Sequence, residues 1–276
     1  MTGTSSDGID PARIAILGGG VMGETLLTAL IASGRRPVDL VVSEKMPERA
    51  EELRQRHGVE VTDVAAAVQR TGVVLVVVKP QDVPSVVAEI APLVDPAATV
   101  VSLAAGVRIA TYESALADGV AVVRAMPNTP ALVGEGMFGV SPGAACDDTR
   151  LAEAVALLET GGRVVVVPED QQDGVTAVSG SGPAYVFYLA EAMIDGGVAA
   201  GLDRATARAL AEQTIRGAAA LLADTDDEPA ELRRRVTSPH GTTHAAISTF
   251  DDHGVDAALR AGVEAAARRS AELSAS

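Results

Sequence analysis

The chain has 276 residues, of which 47% are hydrophobic, and it carries a formal net charge of −15. This length and apolar content exclude a disordered chain and predict a globular protein of two domains. The negative charge argues against a nucleic-acid partner, because binding to phosphates requires clustered lysine and arginine. Lysine occurs only at Lys45 and Lys79.

The single cysteine, Cys146, excludes an internal disulfide and favours a reducing compartment. The N-terminal residues show neither the basic nor the apolar region of a signal peptide. The longest apolar run, 73–78, is too short to span a bilayer. We therefore expect a cytoplasmic protein with no membrane partner, and the cysteine and histidine spacings predict no metal site.

Short β-branched runs alternate with amphipathic stretches over the first part of the chain. This alternation predicts an α/β fold, with an N-terminal Rossmann-like, mostly parallel sheet and right-handed crossovers. Helices are predicted over 21–33 and 47–57. Strands are predicted over 13–17, 39–42, 59–61, 73–78, 99–103, 120–123, 137–140 and 163–167.

The alternation ends near residues 168–173, and no strand is predicted beyond them. The remaining part is predicted to be all-helical, and its many apolar positions favour a dimer that covers them. Tyr185, Phe187 and Tyr188 have the spacing of residues that pack in a core. Helices are predicted over 183–198, 204–223, 229–235, 242–252 and 255–273.

Gly18, Gly20 and Gly23 form a G-x-G-x-x-G pattern directly after the first predicted strand and at the start of the first helix. In dinucleotide sites the first glycine makes a tight turn, and the second lets the backbone approach the pyrophosphate. The third allows close packing of helix against strand. With Val21 and Met22, these glycines predict a cofactor-binding turn, so residues 1–170 are predicted to be a dinucleotide-binding domain.

The end of the second predicted strand selects between NADPH and NADH in this fold. Ser43, Lys45 and Arg49 suit the 2′-phosphate of NADPH, whereas Glu44 suits the ribose hydroxyl of NADH. The sequence therefore favours NADPH and leaves NADH open. Two later strand ends should face the same crevice and contact the cofactor, through Val78, Lys79 and Pro80 and through Ala105 and Gly106.

Two further Gly-containing segments open helices in the second part of the chain. They are Ser-Gly-Ser-Gly-Pro-Ala-Tyr at 179–185 and Ser-Pro-His-Gly-Thr-Thr at 238–243. Such helix starts group free backbone N–H groups where the helix dipole favours an anion. Together with the glycine motif, they indicate an enzyme that uses a dinucleotide and a small carboxylate.

These two segments, together with Arg-Ala-Met-Pro-Asn-Thr-Pro at 124–130 and the glycine motif, resemble pyrroline-5-carboxylate reductase over about residues 14–273. The resemblance implies reduction of the imine of 1-pyrroline-5-carboxylate to L-proline by NADPH or NADH. It also implies that residues 171–276 form a substrate-binding domain that builds an intertwined homodimer. Dimers of this family often assemble further into rings, and a decamer is the ring size we consider.

The resemblance also implies roles for individual residues. Ser238, Gly241, Thr242 and Thr243 would bind the substrate carboxylate, and the hydroxyl of Thr243 would reach the ring nitrogen as the catalytic contact. Glu169 corresponds to an acid near the substrate.

Further residues either match the family or depart from it. Ser43 corresponds to a serine on the 2′-phosphate, and Pro183 to a residue that shapes the pocket. His240 replaces a glycine, and a positive φ there would cost on the order of 1 kcal/mol. Its imidazole could attract the carboxylate or face solvent. Val64 replaces an asparagine that contacts the ribose on the adenine side, so that hydrogen bond is expected to be missing.

Two other interpretations deserve comparison. A β-hydroxyacid dehydrogenase also joins a Rossmann half to a helical half, but it uses a lysine in the helical half, and no lysine follows Lys79. A non-catalytic dinucleotide sensor that binds a partner protein would not need polar, Gly-rich helix starts in its second domain. His244 and His253 lie on predicted helices and are interpreted as capping or surface residues.

Overall fold

The computed structural model describes residues 10–274, so the first residues considered for a signal peptide lie outside the described part. The chain divides into two compact units. The first contains the described residues up to Gly180 together with those from Ala267 onward, and the second is Ser181–Ala266. The division of function at residue 170 stays a prediction. Within residues 10–274, no helix is both long enough and apolar enough to cross a membrane.

The first unit is built on one eight-stranded sheet in the order β3-β2-β1-β4-β5-β6-β7-β8. Neighbouring strands are parallel except for the antiparallel pair β6 and β7. This confirms the predicted mostly parallel sheet. The strands are β1 Asp10–Leu17, β2 Leu40–Ser43, β3 Glu60–Thr62, β4 Thr71–Val76, β5 Thr99–Ser102, β6 Ala121–Met126, β7 Gly136–Pro142 and β8 Gly162–Val166.

Helices cover both faces of this sheet. Strand β4 shows why, since Val73 and Leu75 belong to one apolar layer while Val74 and Val76 belong to the other. A strand buried on both faces has a continuous apolar sequence, as β4 does from Val73 onward. The helices are α1 Val21–Ala32, α2 Pro47–His57, α3 Val64–Val68, α4 Val83–Ile90, α5 Ile109–Glu113, α6 Asp148–Leu158 and α7 Gln172–Val175.

The chain after α7 is helical, as predicted. A π-helical turn, Thr176–Gly180, precedes the helices of the second unit. The last helix, α12, belongs to the second unit up to Ala266 and to the first unit from Ala267. The helices are α8 Gly182–Ala199, α9 Arg204–Ala223, α10 Pro229–Arg235, α11 Thr242–Asp252 and α12 Val255–Ser274.

The second unit leaves most of its large apolar side chains exposed. Phe187 is 63% exposed and Tyr188 is 74% exposed, so the prediction that they pack in a core is wrong for the single chain. Among the described residues of this unit, the buried apolar side chains are the small ones of Ala207 and Ala211. Helical spacing alone cannot distinguish a face that packs within one chain from a face that packs against another.

Glu24 joins the first two helices of the sheet domain. Its carboxylate accepts hydrogen bonds from Arg49 and, at 2.6 Å, from Arg56, and it lies 2.8 Å from His57 Nε2. Burial by itself would raise the pKa of Glu24. The hydrogen bonds from His57, Arg49 and Arg56 outweigh it and lower this pKa to about 2.

A carboxylate with a lowered pKa makes stability depend on pH in a defined direction. Its contribution to the free energy of unfolding is complete above the ordinary value of 4.5 and is lost as the pH falls toward 2. We expect Glu24→Gln to lose less stability than wild type between about pH 5 and about pH 2, measured by urea unfolding. Glu51→Gln, at an exposed pair with Arg54, is the control. An equally steep loss in Glu24→Gln would contradict the assignment.

Candidate active site

The glycine turn lies where the strand order of the sheet reverses. Strand β1 lies between β2 and β4, so the connection after β1 runs to one side of it and the connection after β3 runs to the other. A crevice opens between these connections, beyond the carboxyl end of β1. The N–H of Gly18 donates to the carbonyl of Ser43 at 2.9 Å, and the N–H of Val77 donates to the carbonyl of Leu17 at 2.8 Å. The turn is therefore held between the ends of β2 and β4.

Steric constraints explain the glycines of this turn. Gly18 has φ +112°, and a Cβ there would lie 2.9 Å from the carbonyl oxygen of Val77. A Cβ on Gly23 would overlap the carbonyl oxygen of Gly18. Gly20 differs, because a Cβ there would meet no heavy atom within 4 Å. Gly20 thus borders open space at the start of α1, where no side chain caps the helix, and this arrangement fits a bound pyrophosphate.

The predicted cofactor contacts meet along one edge of the sheet. The strand register pairs Leu17 with Ser43 and with Val76, and Val76 with Ser102, so four carboxyl ends are aligned. The residues that come together at this edge are Gly18, Gly20, Val21, Met22 and Gly23 after β1, Ser43 and Lys45 at β2, Val78, Lys79 and Pro80 after β4, and Ala105 and Gly106 after β5.

A cleft of about 620 Å³ lies beyond the end of β2. Ser43, Lys45 and Val64 line it, together with Glu44. Lys45 is exposed and makes no ion pair with any described residue. Val64 is buried, and the loss of a hydrogen bond to the ribose at this position stays a prediction.

Arg49, considered above for the 2′-phosphate, is committed to contacts within the protein. Its Nε donates to the carbonyl of Gly19 at 2.9 Å, one terminal nitrogen donates to Glu52 at 3.0 Å, and the other donates to Glu24. Sequence spacing could not reveal these contacts, because one partner is a backbone carbonyl and another lies on a different helix.

Asn128 links two of the motifs on which the family resemblance rests. Its side-chain amide donates to the carbonyl of Ser179 at 3.3 Å and to the hydroxyl of Ser179 at 3.2 Å. Its side-chain carbonyl accepts the N–H of Met137 at 2.8 Å. The loop after β6 therefore supports the π-helical turn that leads into α8. Such turns are often found at functional sites.

Glu169, predicted to lie near the substrate, makes two contacts within the first unit. Its Oε1 accepts the N–H of Ile109 at 2.8 Å and a hydrogen bond from Arg124 at 3.2 Å. The side chain of Arg124 is only 6% exposed, so Glu169 neutralises a buried guanidinium. Arg124 is a residue that the sequence analysis used only as part of a motif. A substrate contact by Glu169 stays a prediction.

The predicted carboxylate-binding segment lies in the second unit. Gly241 is the N-cap of α11, and its N–H donates to the carbonyl of Ser238 at 3.1 Å. A Cβ on Gly241 would overlap the hydroxyl of Ser238. No side chain among the described residues caps α11, so the N–H groups of Thr242 and Thr243 at its first turn have no side-chain acceptor. Thr243 is half-buried and Thr242 is exposed.

His240 has φ +60°, in the left-handed region, so the backbone cost that the sequence analysis stated conditionally applies to it. It is exposed, and its ring centroid lies 6.1 Å from that of His244. The attraction of its imidazole for a carboxylate stays a prediction.

We expect His240→Gly to stabilise the fold by up to about 1 kcal/mol, because glycine adopts a positive φ without steric cost. The gain is limited by the greater freedom of glycine in the unfolded chain. Chemical denaturation measures this change, and His244→Gly is the control, since it lies within α11 and should be destabilising. A loss of stability in His240→Gly would show that the side chain makes favourable contacts that outweigh the strain.

The reversed strand order, the glycine turn and the uncapped start of α1 define a dinucleotide-binding protein of the Rossmann class. A family model described as NADP oxidoreductase coenzyme F420-dependent matches residues 13–106, and one described as pyrroline-5-carboxylate reductase dimerisation matches residues 169–273. A pyrroline-5-carboxylate reductase of Mycobacterium tuberculosis is 45% identical over an alignment of 285 positions, which covers 95% of this chain and 97% of the relative.

Two solved structures are also similar to this chain over nearly its whole length. A pyrroline-5-carboxylate reductase from Coxiella burnetii has a TM-score of 0.90 and 33% identity, covering 96% of this chain and 99% of its own. A pyrroline carboxylate reductase from Plasmodium falciparum with NADP bound has a TM-score of 0.84 and 25% identity, covering 97% of this chain and 100% of its own. The chain belongs to the pyrroline-5-carboxylate reductase family. It is an oxidoreductase that uses a nicotinamide cofactor, and its helical part is a dimerisation domain.

Proposed function

We propose that the chain reduces the imine of 1-pyrroline-5-carboxylate to L-proline, with NADPH as the preferred cofactor and NADH as an accepted one. The observation that carries the proposal is a pair of uncapped helix starts, one at the glycine turn before α1 and one at Gly241 before α11. Each is suited to an anion, as a dinucleotide pyrophosphate and a small carboxylate are.

The chemistry requires little of the side chains. A reduced nicotinamide, when bound, supplies a hydride. The protonated imine is already electrophilic at C5, so the protein has to orient the ring and exclude water rather than supply a nucleophile. In this proposal, the segment at Gly241 holds the carboxylate through the N–H groups of Thr242 and Thr243 and the hydroxyl of Ser238, because the N–H of Gly241 already donates to the carbonyl of Ser238. The neutral hydroxyl of Thr243 accepts a hydrogen bond from the ring nitrogen, as the catalytic contact.

The preference for NADPH is supported by the cleft beyond β2. Lys45 is exposed there, and Ser43 presents a hydroxyl at the end of the strand. The two cofactors differ only at the 2′-phosphate, so the preference is expected to be moderate and NADH to remain usable. Val78, Lys79, Pro80, Ala105 and Gly106 would contact the rest of the cofactor along the same edge.

The exposed apolar side chains of the second unit support a homodimer, which we propose assembles further into a ring such as a decamer. The division at residue 170 into a cofactor domain and a substrate-binding dimerisation domain belongs to this proposal. The single cysteine and the small-molecule chemistry agree with a cytoplasmic enzyme.

The reaction is tested by mixing purified protein with 1-pyrroline-5-carboxylate and NADPH, with NADH in parallel. We expect oxidation of the nicotinamide with formation of L-proline, at a higher kcat/KM for NADPH than for NADH. Binding of NADPH without oxidation would contradict the substrate assignment and leave the cofactor assignment intact.

Thr243→Val tests the catalytic contact. Removing the Thr243 hydroxyl that contacts the ring nitrogen should lower kcat/KM for the imine by about tenfold or more. The affinity for NADPH should stay near that of wild type. Thr249→Val is the matched control, because Thr249 lies on the same helix and its hydroxyl donates to the carbonyl of Ala245. Wild-type kinetics in Thr243→Val would remove this residue from the mechanism.

Ser43→Ala tests the phosphate contact with little disturbance, because it removes a single oxygen from a side chain that is only 5% exposed. We expect the KM for NADPH to rise severalfold and the KM for NADH to stay unchanged, because only NADPH carries the 2′-phosphate. Equal changes for both cofactors would place the phosphate elsewhere.

A further inference from the structure

Gly19, the central glycine of the turn, is buried, and the described residues offer its N–H and C=O no backbone partner. Two side chains take their place. The N–H of Gly19 donates to Glu44 Oε2 at 3.0 Å, and its carbonyl accepts Arg49 Nε at 2.9 Å. Buried backbone groups are nearly always paired, so these two charged side chains meet a requirement of the turn itself.

Both side chains are held in place by further contacts. The other carboxylate oxygen of Glu44 accepts the N–H of Met46 at 2.8 Å. Arg49 is fixed by its ion pairs with Glu24 and Glu52. Neither side chain is therefore free to rotate toward a ligand without breaking contacts that are already made.

The clamp sets the direction of a neighbouring donor. In a trans peptide the C=O of one residue and the N–H of the next point in opposite directions. Arg49 holds the carbonyl of Gly19 on one side, so the N–H of Gly20 points to the other side. A Cβ on Gly20 would meet no heavy atom within 4 Å, so open space borders this residue.

The packing around Gly19 leaves no room for a side chain. A Cβ at this position would lie 2.5 Å from Leu53 Cδ1 and 3.0 Å from Glu44 Oε2. The turn is thus confined between α2 and the segment after β2, and its shape depends on the residues that confine it.

We propose that Glu44 and Arg49 are positioning residues that hold the glycine turn in its pyrophosphate-binding shape before the cofactor arrives. The proposal rests on the proposed function only in that the ligand is a nicotinamide dinucleotide. It replaces the interpretation from sequence, in which Glu44 binds the ribose of NADH and Arg49 binds the 2′-phosphate of NADPH. Both cofactors share the pyrophosphate, so a clamp acts equally on the two.

The two interpretations predict opposite results for two substitutions. If the pair clamps the turn, Glu44→Ala and Arg49→Ala each raise the Kd for NADH and the Kd for NADPH by a similar factor. We expect about tenfold, as for a buried backbone group that loses a charged partner. If the pair selects the cofactor, Glu44→Ala weakens NADH alone and Arg49→Ala weakens NADPH alone.

The experiment is isothermal titration calorimetry of the full chain with NADH and with NADPH, together with steady-state kinetics. The clamp predicts higher Kd and KM for both cofactors, with kcat at saturation near that of wild type. Arg56→Ala is the matched control, because Arg56 pairs with the same Glu24 carboxylate as Arg49 but makes no contact with Gly19. Its affinities should equal those of wild type.

Conservative variants guard against misfolding. Glu44→Gln keeps one acceptor oxygen and Arg49→Lys keeps one charged donor, so each should bind both cofactors with an affinity between those of the alanine variant and wild type. A change in one cofactor only, or unchanged affinity in folded Glu44→Ala and Arg49→Ala, would overturn the clamp. A wild-type protein that binds neither dinucleotide would overturn the proposed function as well.

Discussion

The position of β1 in the middle of the sheet is the constraint on which the cofactor site depends. With β2 on one side and β4 on the other, the carboxyl ends of these strands and of β5 share one edge. Residues far apart in sequence, such as Gly18, Ser43, Val78 and Gly106, therefore lie along the same edge of the sheet. The turn after β1 needs glycine at Gly18 and Gly23, because its backbone passes close to β4 and returns on itself.

The helical unit depends on a different constraint, which is the burial of its apolar side chains. Within one chain most of the large ones remain exposed. Burying apolar surface between two chains is favourable by about 25 cal/mol per Å². Exposed residues such as Phe187, Tyr188 and Leu221 thus give association a strong driving force. Membership of a family whose helical part is a dimerisation domain agrees with this physical requirement. The segment proposed to bind the carboxylate lies before α11, in the same unit.

The sequence predicted well whatever depends on local chemistry. The bounds of α2, α9, α10 and α11 agree with the predicted ranges, because proline, glycine or aspartate marks their ends. The family resemblance placed a glycine at His240 and so identified a position where a positive φ would matter, and the φ there is positive.

Features that depend on tertiary contacts were not predictable. Strand β7 runs antiparallel to β6, a direction that periodicity does not encode. Arg49 resembled a phosphate ligand because its charge and position were visible, whereas its partners, a backbone carbonyl and carboxylates on two helices, were not. Glu169 likewise pairs with Arg124, whose burial no local pattern revealed. For Arg49 and Glu169, the sequence showed the charge of the side chain but not the residue with which it pairs.

The most direct test of the account is the fate of the hydrogen that reduces the imine. NADPH labelled with deuterium at the transferable C4 position is mixed with 1-pyrroline-5-carboxylate and the wild-type protein, and the product is examined by mass spectrometry and proton NMR. Hydride transfer from the nicotinamide to C5 predicts L-proline that carries one deuterium at C5. Proline with only solvent hydrogen at C5, or consumption of NADPH without proline, would contradict it.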